Sequence, residues 1–449
     1  MFSRKALTKL IVPLVIEQFL AVLVGMADIM MVSSAGEAAV SSVALVDLIN
    51  LLILNIFAAL ATGGAVVAAQ AIGARDRERA SHIANQLIYI VFGISVVITI
   101  LVLLLKGPLL RLLFGQVEQT VMAGAISYFA ITALSYPFIA VYNGGAALFR
   151  AMGNSKVSMG ISALMNAINI AGNALCVFGL GMGVEGVAWA TVIAQAVSAL
   201  LVIVVLLRTQ QAVRLIPRDL RIHLPVLRQI IRVGVPSALQ MAITAFSNVF
   251  VQSYINSFGA DCMGGWTAYT KIDQLMLLPM QSLALSATTF VGQNLGRGNE
   301  PRARQGVRRA LAIAMAATVL VMIPVLVFAP QMTAFFNRKP EVVAYGALLL
   351  RCISPFYVLC CFNQVYAAAL RGAGNSKATM IIMLCSFVLF RQVYLFIMSH
   401  YISHELIPLV MGYPAGWLVC SAATLIYYRR TSFLSTRLVA EDGSKEDIQ

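Results

Sequence analysis

Arg150-Ala151-Met152-Gly153-Asn154-Ser155-Lys156 returns further along as Arg371-Gly372-Ala373-Gly374-Asn375-Ser376-Lys377, at a spacing of 221, in a chain that is otherwise strongly apolar. Two further landmarks repeat in the same order. Gln70-Ala71-Ile72-Gly73 pairs with Gln293-Asn294-Leu295-Gly296 at a spacing of 223, and Pro13 pairs with Pro236 at the same spacing. Each proline follows a basic flank and precedes a long apolar run. A two-residue length change absorbs the drift between the spacings, so one hydrophobic unit has been duplicated. Duplicated membrane halves are the sequence signature of transporters, in which a substrate site lies between two bundles that rock against each other.

With 60% hydrophobic and 11% charged residues over 449 positions, the chain lies outside ordinary globular usage. A bilayer-spanning helix needs about 20 apolar residues. Twelve such runs occur, at 7–32, 46–71, 84–105, 121–147, 157–178, 185–207, 229–256, 264–292, 308–330, 342–368, 377–399 and 405–428. Six fall on each side of a polar stretch, so both halves start on the same side of the membrane and an axis along the membrane normal relates them. The expected fold is an all-α integral membrane protein with twelve transmembrane helices in two pseudo-symmetric six-helix bundles. Its expected parts are an N-terminal lobe at 1–207, a cytoplasmic linker at 208–228, a C-terminal lobe at 229–430 and a disordered cytoplasmic tail at 431–449.

A net charge of +14 raises nucleic acid as a partner, but its distribution excludes that reading. With the N-terminus inside, 25 of the 32 Lys and Arg lie at the cytoplasmic side, only Lys106, Arg111, Arg338 and Lys339 lie outside, and Lys271, Arg351 and Arg391 fall within spans. That bias is the positive-inside rule, and it places both termini in the cytoplasm. Anionic lipid headgroups are then the partner of the basic surface. The first apolar run is too long for a signal peptide and lacks a cleavage site, so it reads as the first span. The seven cysteines are scattered and imply no disulfide framework, and no phosphate-binding loop is present. Energy must come from an ion gradient or from a separate partner, and no cofactor is expected.

A charge at the bilayer centre costs at least about 2.5–3.5 kcal/mol, so each one is a functional candidate. The candidates are Glu17 and Asp28 in the first span, Lys271 and Asp273 in the eighth, Arg351 in the tenth and Arg391 in the eleventh. Asp28 follows Pro13 by 15 residues, roughly 22 Å along a helix, in the outer half of the membrane. A carboxylate there needs partners, a bound cation or a proton, and each of these couples charge to conformation. Glu17, one turn after Pro13, lies near the inner face, where it can reach water. Asn166, Asn169 and Asn173 lie in the fifth span, the last two on one helix face, and Thr191 lies at similar depth in the sixth. Amides and hydroxyls suit a partly dehydrated cation or a carboxylic acid, though they also serve as glue between helices. Lys271 and Asp273 do not share a helix face; if Arg391 pairs with Asp273, Lys271 is left to face water or substrate. Arg351, near a span end, can snorkel. Pro13 removes a backbone donor and marks a point where its helix can bend. The pairs Gly63-Gly64 and Gly144-Gly145 permit close packing or bending.

On these features the chain resembles the multidrug and toxic compound extrusion (MATE) transporters over nearly all of residues 1–430. The likeness rests on the two six-span halves, Gln70-Ala-Ile-Gly-Ala74, Gln293-Asn-Leu-Gly296, the doubled Arg-x-x-Gly-Asn-Ser-Lys loops and Gly183-Val-Glu-Gly-Val-Ala-Trp-Ala-Thr191. The resemblance implies a V-shaped pair of lobes in a bacterial inner membrane. It implies a monomer that exports small amphipathic organic compounds in exchange for H⁺ or Na⁺. It further implies that the first-span carboxylate Asp28 couples to Asn169, Asn173 and Thr191, with any bound Na⁺ at Asp28. At Asn173 the family often carries a second acid, and its absence here gives proton coupling more weight. The sodium-driven branch has a Glu and an Asp where this chain has Thr244 and Cys360. Lys271, Asp273 and Arg391 are instead closer to the DNA-damage-inducible-like branch. With Glu17 they are candidates for lining the substrate cavity, and they favour anionic or zwitterionic compounds at least as well as cations. The alternative reading is a lipid or lipid-linked precursor flippase of the same superfamily, for which a broader, Arg-rich cavity is expected.

Overall fold

The computed structural model describes residues 4–34, 36–115, 117–209, 211–216, 221–403 and 405–439; for residues 4–10, Met26 and Ile29 it describes the backbone alone. Every regular element among the described residues is helical. The first half runs through α1 (Arg4–Ser33), α2 (Glu37–Gly73), α3 (Arg77–Phe114), α4 (Gln119–Ala133), α5 (Tyr136–Ala151), α6 (Ser155–Ala174) and α7 (Val184–Arg208). The second runs through α8 (Leu224–Asn256), α9 (Ala260–Gly296), α10 (Glu300–Val327), α11 (Ala329–Phe336), α12 (Pro340–Ile353), α13 (Tyr357–Gly372), α14 (Ser376–Met383), α15 (Arg391–Ile397), α16 (Leu406–Val410) and α17 (Gly412–Arg430). Among the described residues, eleven spans are long and apolar enough to cross a bilayer, and the bent pair α4–α5 makes a twelfth. The fold is the all-α, two-bundle membrane architecture that the duplicated sequence predicts.

The duplication is visible in the backbone. Gly153 and Gly374, at matching positions of the repeated loops, take φ of 79° and 94°. In that left-handed region a side chain is strained, so both loops keep glycine. Asp76 caps α3 by accepting from the Arg79 amide at 2.9 Å, and its counterpart in the second half, Asn299, caps α10 from the Arg302 amide at 3.0 Å.

The fourth span is not the single helix expected over 121–147. It breaks between α4 and α5 with a bend of 47°. Pro137, in the first turn of α5, has no N–H to extend the ladder, and the hydroxyls of Thr132 and Ser135 return to carbonyls one turn back or less. The tenth span narrows to a 3-10 turn at the matching place, Ser354–Phe356, which contains Pro355, but runs on as one span.

The chain forms two compact units, Met1–Ala238 and Leu239–Gln449, with the division inside α8. In the first unit the start of α8 lies tightly on α2. A Cβ on Gly63 would stand 2.6 Å from the Ile230 carbonyl and 2.8 Å from the Gly234 nitrogen, so backbone meets backbone there. The segment between α7 and α8 is also docked. Asn85 donates to the Ile216 carbonyl at 3.0 Å and accepts from its amide at 3.1 Å, while Gln86 does the same with Arg221 and His223. Val213, within this segment, is fully buried.

The expected disorder of 431–449 is corrected for the part that is described. Residues 431–439 form a strap against the second unit, and 440–449 lie outside the described residues. Phe433 is fully buried and Val439 nearly so. The Arg304 guanidinium lies 4.5 Å from the Phe433 ring centre and 5.1 Å from that of Tyr428, and donates to the Thr431 carbonyl at 2.6 Å. Glu300 accepts from the Leu434 amide and pairs with Arg304 at 2.7 Å. The polar composition of the tail hid one aromatic anchor with a ready cationic seat.

Candidate functional site

In the first unit α1 lies along α6, and α6 lies against α7. That packing brings one side chain from α1 to a polar face shared by the other two. Asp28 Oδ1 accepts from Asn173 Nδ2 at 2.7 Å. The same Asn173 amide is 3.3 Å from Asn169 Oδ1, and Asn169 Nδ2 donates to Thr191 Oγ1 at 3.1 Å. Thr191 passes its own proton to the Val187 carbonyl at 3.0 Å, within α7. The four residues singled out from the sequence therefore form one hydrogen-bonded chain across three helices. Asn173 is completely buried, and its Oδ1 has no partner. A buried acceptor beside a carboxylate is a place that a small cation or a proton-bearing group satisfies. Asn166, the third asparagine of α6, is 8% exposed with an unpaired Nδ2 and takes no part in the chain.

Sequence reasoning missed Asp47 of α2. Its carboxylate interacts with Asn50 and with the buried Tyr128, and its charge is within reach of Asp28. Asn50 accepts from Tyr136 at 2.6 Å, which ties this group to the start of α5. The run that begins at 46 placed Asp47 at a span edge, where charges pass unnoticed. Its spacing from Asn50, one helical turn on, was the available signal.

Glu17 does not reach toward water. It is 7% exposed and accepts from Tyr142 at 3.2 Å and from Ser158 at 3.1 Å, with Arg150 Nη1 3.9 Å away. Pro13 is buried within α1, four residues before it.

The second unit holds a different constellation. The Asp273–Arg391 pair considered from the sequence does not form. Asp273 accepts from the Tyr357 hydroxyl, which is itself 3.1 Å from that of Tyr269. Arg391 donates to Ser247 at 2.7 Å and to Asn248 at 2.9 Å, and its guanidinium lies 4.8 Å from the Tyr413 ring centre. Hydroxyl, amide and ring faces thus take the place of the carboxylate. A π-helical stretch, Leu384–Phe390, ends directly before Arg391 and shifts its direction relative to a regular helix. Tyr269, Trp266, Tyr413, Trp417 and Tyr357 form a succession of tilted and edge-on ring contacts beside the two charges, with ring centres 5.0–6.0 Å apart. Arg391 is 3% exposed and its Nε is unpaired. Lys271 is exposed and joins neither group.

The halves thus differ where chemistry is concentrated. At the repeat spacings the counterpart of Asp28 is Val251, and that of Asn173 is Tyr394.

A protein-family model described as MatE matches residues 13–175 and again 236–397, one copy on each half. The chain is 25% identical to a probable multidrug resistance protein, YpnP, of Bacillus subtilis over 90% of this chain and 89% of that protein. It is 25% identical to a probable multidrug resistance protein, NorM, of Thermotoga maritima, covering 99% of this chain and 96% of the other. Among solved structures, a MOP superfamily transporter from Pyrococcus furiosus superposes with a TM-score of 0.90 at 25% identity, over 95% of both chains.

Proposed function

This chain belongs to the MatE family of membrane transporters, and on that premise we propose that it is a secondary active antiporter of the bacterial inner membrane. It exports small amphipathic organic compounds by alternating access, in exchange for H⁺ or Na⁺. Relatives named as multidrug resistance proteins align with almost the full chain, which supports multidrug export. The observation that carries the coupling mechanism is the chain from Asp28 through Asn173 and Asn169 to Thr191. It links a carboxylate on the proline-bearing α1 to two neighbouring helices. When Asp28 gains or loses its ion, the hydrogen bond to Asn173 changes strength, and the position of α1 on α6 changes with it. Across 100 mV, one charge supplies about 2.3 kcal/mol, near a fortyfold concentration ratio.

In this reading both termini face the cytoplasm, so the Arg150 and Arg371 loops are cytoplasmic too. The orphaned Asn173 oxygen and the nearby Asp47 give a cation more oxygen than Asp28 alone offers. The Arg391 group in the second half supports a substrate with an anionic or zwitterionic part, since its unpaired Nε and aromatic neighbours suit a planar acid.

Efflux from proteoliposomes under separately imposed pH and Na⁺ gradients tests the coupling. One gradient drives wild-type efflux, and Asp28→Asn removes that drive while the protein remains folded. The amide replaces the carboxylate in shape and can still accept from Asn173. Undiminished gradient-driven efflux by the variant refutes the assignment.

A further inference from the structure

The function proposed above absorbs Asp28 but leaves the most prominent motif of the sequence, the repeated Arg-x-x-Gly-Asn-Ser-Lys loop, without a task. In the first unit its arginine stands beside a carboxylate. Glu17 lies 11 residues before Asp28 on α1, about 16 Å along the helix axis, and four residues after Pro13. Among the described residues, the charged or titratable groups hydrogen-bonded or ion-paired to it come from α5, namely Arg150 and Tyr142, while α6 supplies the hydroxyl of Ser158.

The duplication supplies an internal comparison. At the repeat spacing the counterpart of Glu17 is Gln240, which donates to the Met383 sulfur at 2.7 Å and leaves its buried Oε1 unpaired. The counterpart of Tyr142 is Asn363, fully buried with its own Oδ1 unpaired. Thr379, the counterpart of Ser158, bonds within its own helix to the Ser376 carbonyl at 2.8 Å. The second half thus builds the same corner from neutral amides that reach no partner on the loop arginine. The first half alone places an ionisable group there, and it does so on the helix that carries Asp28.

Helix α1 packs chiefly on α6, with Leu14 and Val32 buried in that contact stripe. Val12, Ile16, Phe19 and Leu23 are 49%, 43%, 46% and 45% exposed, so the helix packs mainly along one narrow stripe. Two polar clasps, Glu17 near the middle of the helix and Asp28 in its last two turns, add to that packing. A buried carboxylate is tolerated as an ion only while donors surround it, and the neutral acid has no need of the arginine.

We propose that Glu17 is a positioning residue of the transport cycle: its ionised carboxylate clasps the Pro13 segment of α1 to α5 and α6 through Arg150, Tyr142 and Ser158, and its neutralisation releases that segment. The proposal rests on the reading of α1 as the helix that answers the coupling ion, and it adds a second acidic control point on the side placed toward the cytoplasm. A proton arriving from that side meets Glu17 before Asp28. Release of the clasp frees the segment around Pro13, where the proline already interrupts the backbone ladder and permits bending.

Hydrogen–deuterium exchange of the full-length protein in lipid nanodiscs, at a single pH, tests this. The informative variant is Glu17→Gln, which places at this corner the residue type that the second half accommodates. Exchange over residues 14–21 rises about tenfold, the effect of one charge-assisted hydrogen bond on a local opening equilibrium, while α3 keeps its wild-type protection. Arg150→Gln reproduces part of that rise and adds nothing in the Glu17→Gln background, as expected of one shared contact. In efflux assays Glu17→Gln remains gradient-driven, but its pH profile differs from that of wild type. Wild-type exchange over residues 14–21 in Glu17→Gln overturns the proposal. So does a rise shared equally by α3, which marks general loosening. If Asp28→Asn transports normally, the coupling reading falls, while the exchange result at Glu17 still decides the clasp.

Discussion

Asn173 is the residue at which the proposed coupling chemistry is most open to test. It sits between Asp28 and Asn169, completely buried, with one oxygen unpaired. Asn173→Asp sets a second carboxylate against Asp28, and two like charges at hydrogen-bond distance need a cation or a proton between them. Added Na⁺ therefore raises the thermal unfolding midpoint of Asn173→Asp in detergent, by more than it raises that of wild type. An equal response of the two proteins counts against a cation site at this position. In the second unit Arg391 is held by two hydrogen bonds and a ring face rather than by a counter-ion. Arg391→Lys keeps the charge but loses the planar stack on Tyr413. Efflux of anionic aromatic compounds by Arg391→Lys falls at least about tenfold, a loss near 1.4 kcal/mol, while efflux of cationic dyes is spared. Equal loss for both classes assigns Arg391 to the architecture of the bundle instead.

At the scale of elements, the two straps show how each half is closed off. The segment after α7 is pinned by Ser81, Asn85 and Gln86 of α3, and the segment after α17 is pinned by Glu300 and Arg304 of α10. Ser81 and Arg304 are counterparts at the repeat spacing, so the same site on each half holds its own strap by different chemistry. Phe433 is the anchor of the second strap. Phe433→Ala removes a fully buried ring and the seat of a cation–π contact, at a cost of about 3 kcal/mol. The midpoint of thermal unfolding drops clearly, and Phe433→Leu recovers most of it. An unchanged midpoint in Phe433→Ala shows that the strap adds nothing to stability. The break at Pro137, the 3-10 turn at Pro355 and the π-helical stretch before Arg391 are element-scale features of the same kind. Each interrupts a regular α-helix inside a run that hydropathy treats as uniform.

At the scale of the whole molecule, the proposed orientation rests on the charge distribution. The loops carrying Arg150 and Arg371, the stretches 73–84, 208–232 and 297–309 and both termini hold 25 of the 32 basic residues. A green fluorescent protein fused after Gln449 is therefore fluorescent in cells, and a periplasmic phosphatase fused at the same point is inactive. The opposite pair of results reverses the orientation and moves Glu17 to the outer side. Two copies of one six-span unit have meanwhile diverged. The first keeps a carboxylate with amide and hydroxyl partners, and the second keeps a succession of aromatic rings beside separate positive and negative groups.

The sequence by itself determined the class of fold. Apolar runs of bilayer length report directly on the solvent, and a repeated loop at fixed spacing reports on duplication, so neither needs tertiary knowledge. It also marked Asp28, Asn169, Asn173 and Thr191, because polar groups inside long apolar runs are few and helical spacing sets their faces. What it could not determine were partners that depend on rotation and approach of helices distant in sequence. Only tertiary packing placed Arg150 and Ser158 at Glu17, brought Asp47 within reach of Asp28, and gave Arg391 ring and hydroxyl partners instead of Asp273. Composition likewise read residues 431–439 as polar tail, because one phenylalanine is too weak a signal until the surface that receives it has formed. Charge and hydropathy are summed along the chain, but a contact depends on which faces meet, and that is decided when the helices pack.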